Sequence, residues 1–457
     1  MSSPNFRSKQ EHIDYLEAFK INQKRALFTI ILCILLDSFG YSMVLPLLPD
    51  IAGAFQASDL MIGVLMSSNS FSALIFIPIW GKLSDKYGRK PILLISQAGT
   101  AFSFFLLGLS NSFYFIIFGR ILDGMFGGQM PAIRAYITDV TTPETRASNM
   151  GKIMVGYTGG MIAGPIIGGS LGVINWRLPF FAASILTILT IFMTIKIIVE
   201  SMPKERREEI KAELLKNLGP SRKQDSIWNK EIVSRFGQTL LVSLISSMFM
   251  SSYALVLDKR YGADASVRGY VMAIAGVGLL IYGLIIMRPL LKKFGEKRIL
   301  ILTFILAIVL FAIYPYLFDF WMVFPFVLAF AFMLSFMRPL ISTNITKAVS
   351  PNRQGEVSGL AFNLRSFAQV VAPLISTSFL QMGGLTIAFI HLDSYELIGF
   401  LNVILAIILL IIGYLDIKNH PNLYIYERIR RKKEAIRKKR AQIEQMADEL
   451  KEDNLLE

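Results

Sequence analysis

Residues 81–91 read GKLSDKYGRKP, set between SALIFIPIW (72–80) and ILLISQAGTAFSFFLLGL (92–109). One carboxylate, four cations and two glycines thus interrupt two strongly apolar runs. Apolar blocks of this kind recur along the whole chain, with charge gathered between them. A helix of roughly 20 residues crosses a hydrocarbon layer about 30 Å thick. With 53% hydrophobic and only 18% charged residues, the 457-residue chain is too apolar for a soluble protein of its length. The pattern predicts an all-α integral membrane protein, and residues 81–91 become a loop between two spans.

Twelve spans are expected, at 25–48, 59–80, 91–110, 112–136, 148–173, 177–199, 236–257, 268–289, 298–318, 320–344, 356–382 and 396–416. They form an N-terminal six-helix bundle (25–199) and a C-terminal one (236–417). A charged segment at 200–235, with a helical look, joins them; residues 1–24 precede them and a charged tail, 418–457, follows. Lys82, Lys86, Arg89 and Lys90 lie between spans 2 and 3; Arg288, Lys292, Lys293, Lys297 and Arg298 lie between spans 8 and 9. The loops after spans 1, 3, 9 and 11 have no Lys or Arg. Cations collect on the cytoplasmic side, so both termini, the linker and residues 81–91 are expected there. The loop after span 7, DKRYGADASVRG (258–269), is a mild exception.

Other chemistry is thinly represented. A lone cysteine, Cys33, excludes a disulfide framework and a thiolate metal site. His12, His391 and His420 are far apart, so no metal centre is expected. The polar start of the chain is unlike a cleavable signal peptide. No G-x-x-x-x-G-K-[ST] is present, and no nucleophile–base pattern, so the chain is expected to be neither an ATPase nor another enzyme, and to need no cofactor. The net charge of +14 is explained by membrane topology rather than nucleic acid. The basic start of the tail suits a helix on anionic lipid or a solvated helix that fixes topology.

The two bundles are related. Offset by 207, LSDKYGRKPIL (83–93) lies over LLKKFGEKRIL (290–300). Offset by 208, ITDVTTPETRASNMG (137–151) lies over ITKAVSPNRQGEVSG (345–359), Pro131 over Pro339 and Pro165 over Pro373. In the second copy Asp85 becomes Lys292 and Arg89 becomes Glu296, which reads as a worn copy whose cations persist for topology. A duplicated six-span unit is one known transporter design, with the substrate path between the halves.

At this point the chain resembles the major facilitator superfamily, over nearly its whole length. GKLSDKYGRKP is similar to that family's loop between spans 2 and 3, G-x-L-x-D-x-x-G-R-[RK]. The resemblance implies a cytoplasmic gate built on Gly81, Asp85, Gly88, Arg89 and Lys90, with Asp139 of span 4 the natural partner of Arg89. A plain topology loop would explain the charges alone. RILDGMFGG (120–128) resembles the family's R-x-x-x-G segment of span 4; Asp123 departs from the usual neutral residue. It is either a second titratable group or a structural partner for Arg120, which shares its helix face. GGMIAGPIIGG (159–169) supplies Gly160, Gly164, Pro165, Gly168 and Gly169 to the pattern G-x-x-x-G-P-x-x-G-G. Such glycines suit any close helix pair, but in the family this pattern accompanies antiporters and exporters.

Asp37, about twelve residues into span 1, completes the set. LD followed by PLLPD resembles span 1 of tetracycline-efflux and vesicular amine antiporters. A carboxylate at that depth is costly to charge and can carry a proton; neighbouring hydroxyls or Arg120 could instead tie it down. Asn69, Arg134, Asn363 and Arg365 are weaker candidates for a cavity or gate. The resemblance implies a proton-coupled exporter of a small lipophilic or cationic compound, driven by the proton gradient and working as a monomer in the plasma membrane. A symporter or uniporter of the same fold for a metabolite, sugar or lipid-linked cargo is the nearest alternative; a non-transporting sensor or scaffold is another.

Overall fold

The computed structural model describes residues 16–19, 21–216, 230–350, 353–387 and 390–420. Most of the N-terminal segment, part of the linker and nearly all of the charged tail lie outside the described residues. Among the described residues, nine helical stretches are long and apolar enough to cross a membrane. One of them, Ala265–Tyr316, holds two crossings, because Gly295 leaves helical geometry at φ 79° and ψ 159°. Two further helical units hold spans 4 and 11: span 4 is split into pieces of 14 and 12 residues, and span 11 carries more polar side chains. Counted so, the chain crosses twelve times, in the arrangement of two six-helix bundles.

Local chemistry sets the helix starts. On the face away from the basic loops, spans 2, 4, 8 and 12 each begin at a capping side chain. These are Ser58, Ser112, Asp264 and Asp393, whose oxygens accept from the third residue of the helix. Such caps satisfy amides that the helix itself leaves open. Asp393 and Glu396 form a full capping box.

Three local features depart from the expected single helices. Span 1 runs from Gln23–Met43 through the tight turn Leu45–Leu47 into Leu48–Phe55, where its prolines Pro46 and Pro49 fit the starts of new turns. Span 4 is broken into Phe113–Phe126 and Gln129–Val140 at Gly127 and Gly128. The carbonyls freed there are taken by Trp80 Nε1, which donates to Met125 O at 2.6 Å, and by Ser96 Oγ, which donates to Phe126 O. Between spans 11 and 12, Gly384–Ile387 pairs antiparallel with Ile390–Asp393, so a short hairpin joins the helices.

The halves meet along two seams, span 2 on span 11 and span 5 on span 8. At the basic face span 7 is pinned to span 12 inside the second half. Arg235 Nε and Nη2 each donate to Asp416 at 3.1 Å, and Gln238 adds a third bond at 3.2 Å. Residues 81–91 are not a loop: helix Asp59–Tyr87 runs on to a turn at Gly88, and Arg89 opens the next helix. The linker helix Lys204–Lys216 reaches back there, where Arg207 donates to Lys86 O.

Candidate functional site

A cavity of about 200 Å³ lies between the halves. Tyr41, Arg120 and Tyr157 face it from the first half, and Ser246, Met250 and Arg338 from the second. Met66, Met161 and Met272 add to an adaptable apolar wall.

Beside it stand the charged groups of span 4. Asp123 Oδ2 accepts from Arg120 Nη1 at 3.0 Å and from Asn69 Nδ2 at 2.8 Å. Asn69 also donates to Arg120 O at 3.3 Å, and the Arg120 guanidinium lies 5.8 Å from the Tyr41 ring centre. Arg120 and Asp123 are buried, so the pair compensates two charges that would be costly alone. Asp37 stands apart: its Oδ1 accepts from Gln129 Nε2 at 3.0 Å. Gln129 is buried and opens the second piece of span 4, so the Gly127–Gly128 break aims this amide at span 1. Tyr41, one turn beyond Asp37, lines the cavity. Sequence reasoning missed Gln129; the paired glycines before it were the available signal.

At the basic face Arg89 is the hub. Its Nη1 donates to Asp85 at 2.7 Å and to Ser84 at 3.1 Å, and its Nε donates to Asp139 at 3.2 Å. Gly88 turns the chain at φ 107°, a conformation that side chains resist. Gly81 lies close to Pro131 of span 4. Two residues just past span 6 complete the group, unforeseen from sequence. Glu200 accepts from the backbone N–H of Arg89 at 2.8 Å and of Lys90 at 2.9 Å, capping span 3. Ser201 Oγ donates to Asp139 at 2.9 Å, while Lys90 Nζ donates to Ile195 O at 2.9 Å.

The second copy is not merely worn, which corrects the expectation. Glu296 stands where Arg89 stands, Lys347 stands where Asp139 stands, and Lys347 Nζ lies 3.0 and 3.2 Å from the two Glu296 oxygens. Gly295 repeats the positive φ of Gly88. The Arg89–Asp139 ion pair therefore recurs with its charges exchanged. Point-by-point comparison of the copies hides this, because each site alone looks like a lost residue.

Span 5 carries its small residues on two faces. A Cβ at Gly164 would fall 2.6 Å from Phe39 O, and one at Gly168 would fall 2.5 Å from Met43 O. Gly160 packs equally close to Leu35, and Ser42 Oγ donates to Gly160 O at 3.1 Å. Gly169 instead packs against Ala265, and Pro165 O against Gly269, both in the other half. One helix thus presents two small-residue faces, one joining span 1 to span 5 and the other joining the halves to each other. Gly164→Val should overpack this seam and destabilise the protein by roughly 1–3 kcal/mol. Thermal unfolding in detergent reads this; an unchanged melting temperature would show that span 1 simply moves aside.

The ties between the halves gather on the face away from the basic loops. Arg268 Nη1 lies 2.7 Å from Asp258 Oδ1, its Nη2 pairs with Asp50 across the seam, and its Nε donates to Pro46 O at 2.8 Å. Lys259 Nζ lies 2.5 Å from Asp59, and the Leu60 amide donates to Gln381 at 3.1 Å. At the basic ends of spans 5 and 11, by contrast, a Cβ at Gly151, Gly355 or Gly359 would meet nothing within 4 Å. Two of the three cations of 258–269, Lys259 and Arg268, make these ties, while Arg260 donates to Pro315 O within its own half at 2.8 Å; that exception to the topology rule was the signal. Arg268→Gln should loosen the closed face and raise maleimide labelling of a buried Leu48→Cys probe by about tenfold. Equal labelling in both backgrounds would remove Arg268 from the closure.

The remaining candidates join neither group. Arg365 lies in span 11 with Ser342 Oγ at 3.5 Å, and Arg134 and Asn363 are exposed. The structure brings Arg120, Asp123 and Asn69 together, and separately Asp85, Arg89 and Asp139; it joins Asp37 to neither by a direct bond.

Comparison with known proteins follows this geometry. The family model described as Major Facilitator Superfamily matches residues 30–373 and, again, 236–443. Tetracycline resistance protein, class B, of Escherichia coli is 28% identical over 351 residues, 75% of this chain and 85% of that protein. Multidrug resistance protein 1 of Bacillus subtilis (strain 168) is 27% identical over 366 residues, 78% of this chain and 90% of that one. Among solved structures, a bacterial homolog of the human lysosomal transporter Spinster, inward-facing and occupied, superposes with a TM-score of 0.71 at 15% identity. It covers 88% of this chain and 98% of its own. The human organic anion transporter MFSD10 superposes with a TM-score of 0.63 at 19% identity, covering 86% and 99%.

Proposed function

The chain belongs to the Major Facilitator Superfamily, and on that premise we propose that it is a proton-coupled exporter of a small lipophilic compound, working by alternating access. The observation that carries this reading is the half-buried carboxylate Asp37, one helical turn from Tyr41 on the wall of a methionine-lined cavity between two halves. Among the described residues Asp37 is held through the neutral amide of Gln129 and is in no ion pair, so it can exchange a proton without breaking one. Asp123, bound to Arg120 and Asn69, is the structural partner of the arginine rather than a second proton carrier. The names of the two relatives, which denote resistance to tetracycline and to many drugs, support export.

By the positive-inside rule the basic face is cytoplasmic. The ties around Arg268 then close the outside, and the state described is inward-facing. Rocking of the halves would release those ties and bring the two basic-face latches together. The protein would work as a monomer in the plasma membrane, with both termini cytoplasmic. The test is uptake of a drug panel into inside-out vesicles, with and without a pH gradient. Accumulation that depends on an acid interior supports antiport; proton movement in the same direction as substrate would establish symport instead.

A further inference from the structure

The arginines of this protein fall into two classes. Arg89, Arg120, Arg235 and Arg268 each sit against at least one carboxylate. Arg338, in the second half of span 10, does not. Its Nη2 donates to Ser246 Oγ at 2.6 Å, and its guanidinium is exposed to the central cavity. Arg338 and Arg365 also share a small crevice with Thr239 and Ser243. Arg134, in span 4 of the other half, lies within electrostatic reach of Arg365. Among the described residues none of these three arginines is in an ion pair. Arg338 on the cavity wall and Arg365 in the adjoining crevice therefore stand together, with Arg134 of the other half in electrostatic reach, and among the described residues no carboxylate pairs with any of them.

A cation at membrane depth is expensive unless water or an anion meets it. Ser246 occupies one nitrogen of a planar fork suited to gripping two oxygens at once. The acids that could have answered it are committed elsewhere: Asp123 to Arg120 and Asn69, and Asp37 to Gln129. Around Arg338 the wall is apolar, with Met250, Met272 and Leu334 nearby.

We propose that Arg338, supported by Arg365 and Arg134, forms an anion subsite, and that the cargo is an amphipathic compound whose carboxylate or similar acidic group docks there. The apolar body lies along the methionine wall. This rests on the exporter reading and narrows its cargo to lipophilic acids.

The test uses two dyes with one ring system and opposite charge, fluorescein and rhodamine 6G, binding to the purified protein in uncharged-lipid nanodiscs. Fluorescence anisotropy should show fluorescein bound more tightly. Arg338→Gln should weaken fluorescein by at least about tenfold, the scale of one charge-assisted hydrogen bond, and spare rhodamine 6G. Arg338→Lys, which keeps the charge but not the fork, should fall between, and thermal melting checks that each variant is folded. Tighter binding of rhodamine 6G, or a folded Arg338→Gln protein that binds fluorescein as the parent does, overturns the proposal. Binding needs no gradient, so that outcome leaves export standing. Dye selectivity kept without pH-driven transport would overturn export alone.

Discussion

Asp37→Asn is expected to reduce pH-driven accumulation in inside-out vesicles to the level of empty vesicles, with expression and melting temperature unchanged. The physical reason lies in its single contact. Asn has the shape of Asp and its amide oxygen can still accept from Gln129 Nε2, now 3.0 Å from the carboxylate. What it loses is the ability to carry a proton between states. A carrier whose only movable proton is removed can still bind and exchange cargo, so counterflow without a gradient should persist. Asp123→Asn should behave differently. It leaves Arg120 buried with no carboxylate, a change that costs about 3–5 kcal/mol when a buried pair is broken, and yield should fall with activity. If Asp37→Asn transported normally under a pH gradient while Asp123→Asn stayed folded and uncoupled, the two roles would be reversed.

Charge exchange at the second latch should give the next largest effect. Glu296→Lys would set two cations against each other in a site where the side chains are only 6% and 13% exposed. Lys347→Glu would do the same with two anions. Each single variant should lose about 3–5 kcal/mol of stability, because each turns a buried attraction into a buried like-charge contact. Together they should restore most of the loss, since the double variant has the polarity that Arg89 and Asp139 have in the first half. A double-mutant cycle on melting temperature and transport measures the coupling. A double variant no better than the worse single one would show that pairing is incidental and that each residue answers to other neighbours.

These expectations depend on unequal shares of sequence and structure. Spans and basic face were legible, because apolar length and charge are local quantities that no packing alters. The same holds for the glycine stripe of span 5, whose spacing is written in one helix. Residues 81–91, expected as a loop, instead continue the helix to Tyr87 and turn at Gly88 alone, because Glu200 and the Arg89 pairs hold the two helix ends together. The partner of Arg89 could be named from the family pattern, but Glu200 could not: it meets the Arg89 amide from 111 positions away, past the end of span 6. Gln129 and Asp37 are 92 positions apart, and their meeting requires the kink at Gly127 and Gly128. The exchanged pair Glu296 and Lys347 looked like two separate losses until they were found 3.0 Å apart.

By itself, then, the sequence determined that this chain crosses a membrane many times, that it is built from two related halves, and which face carries the cations. Hydrophobic length, repeat spacing and charge asymmetry suffice for that, since each is read along the chain. Tertiary structure alone decided which charges answer one another and which do not. Arg120 found Asp123 within its own helix, Arg268 found Asp50 across the seam, and Arg338 was left facing the cavity with a serine. A charge in a membrane is defined by its partner, and helices brought together from distant parts of the chain supply or withhold that partner.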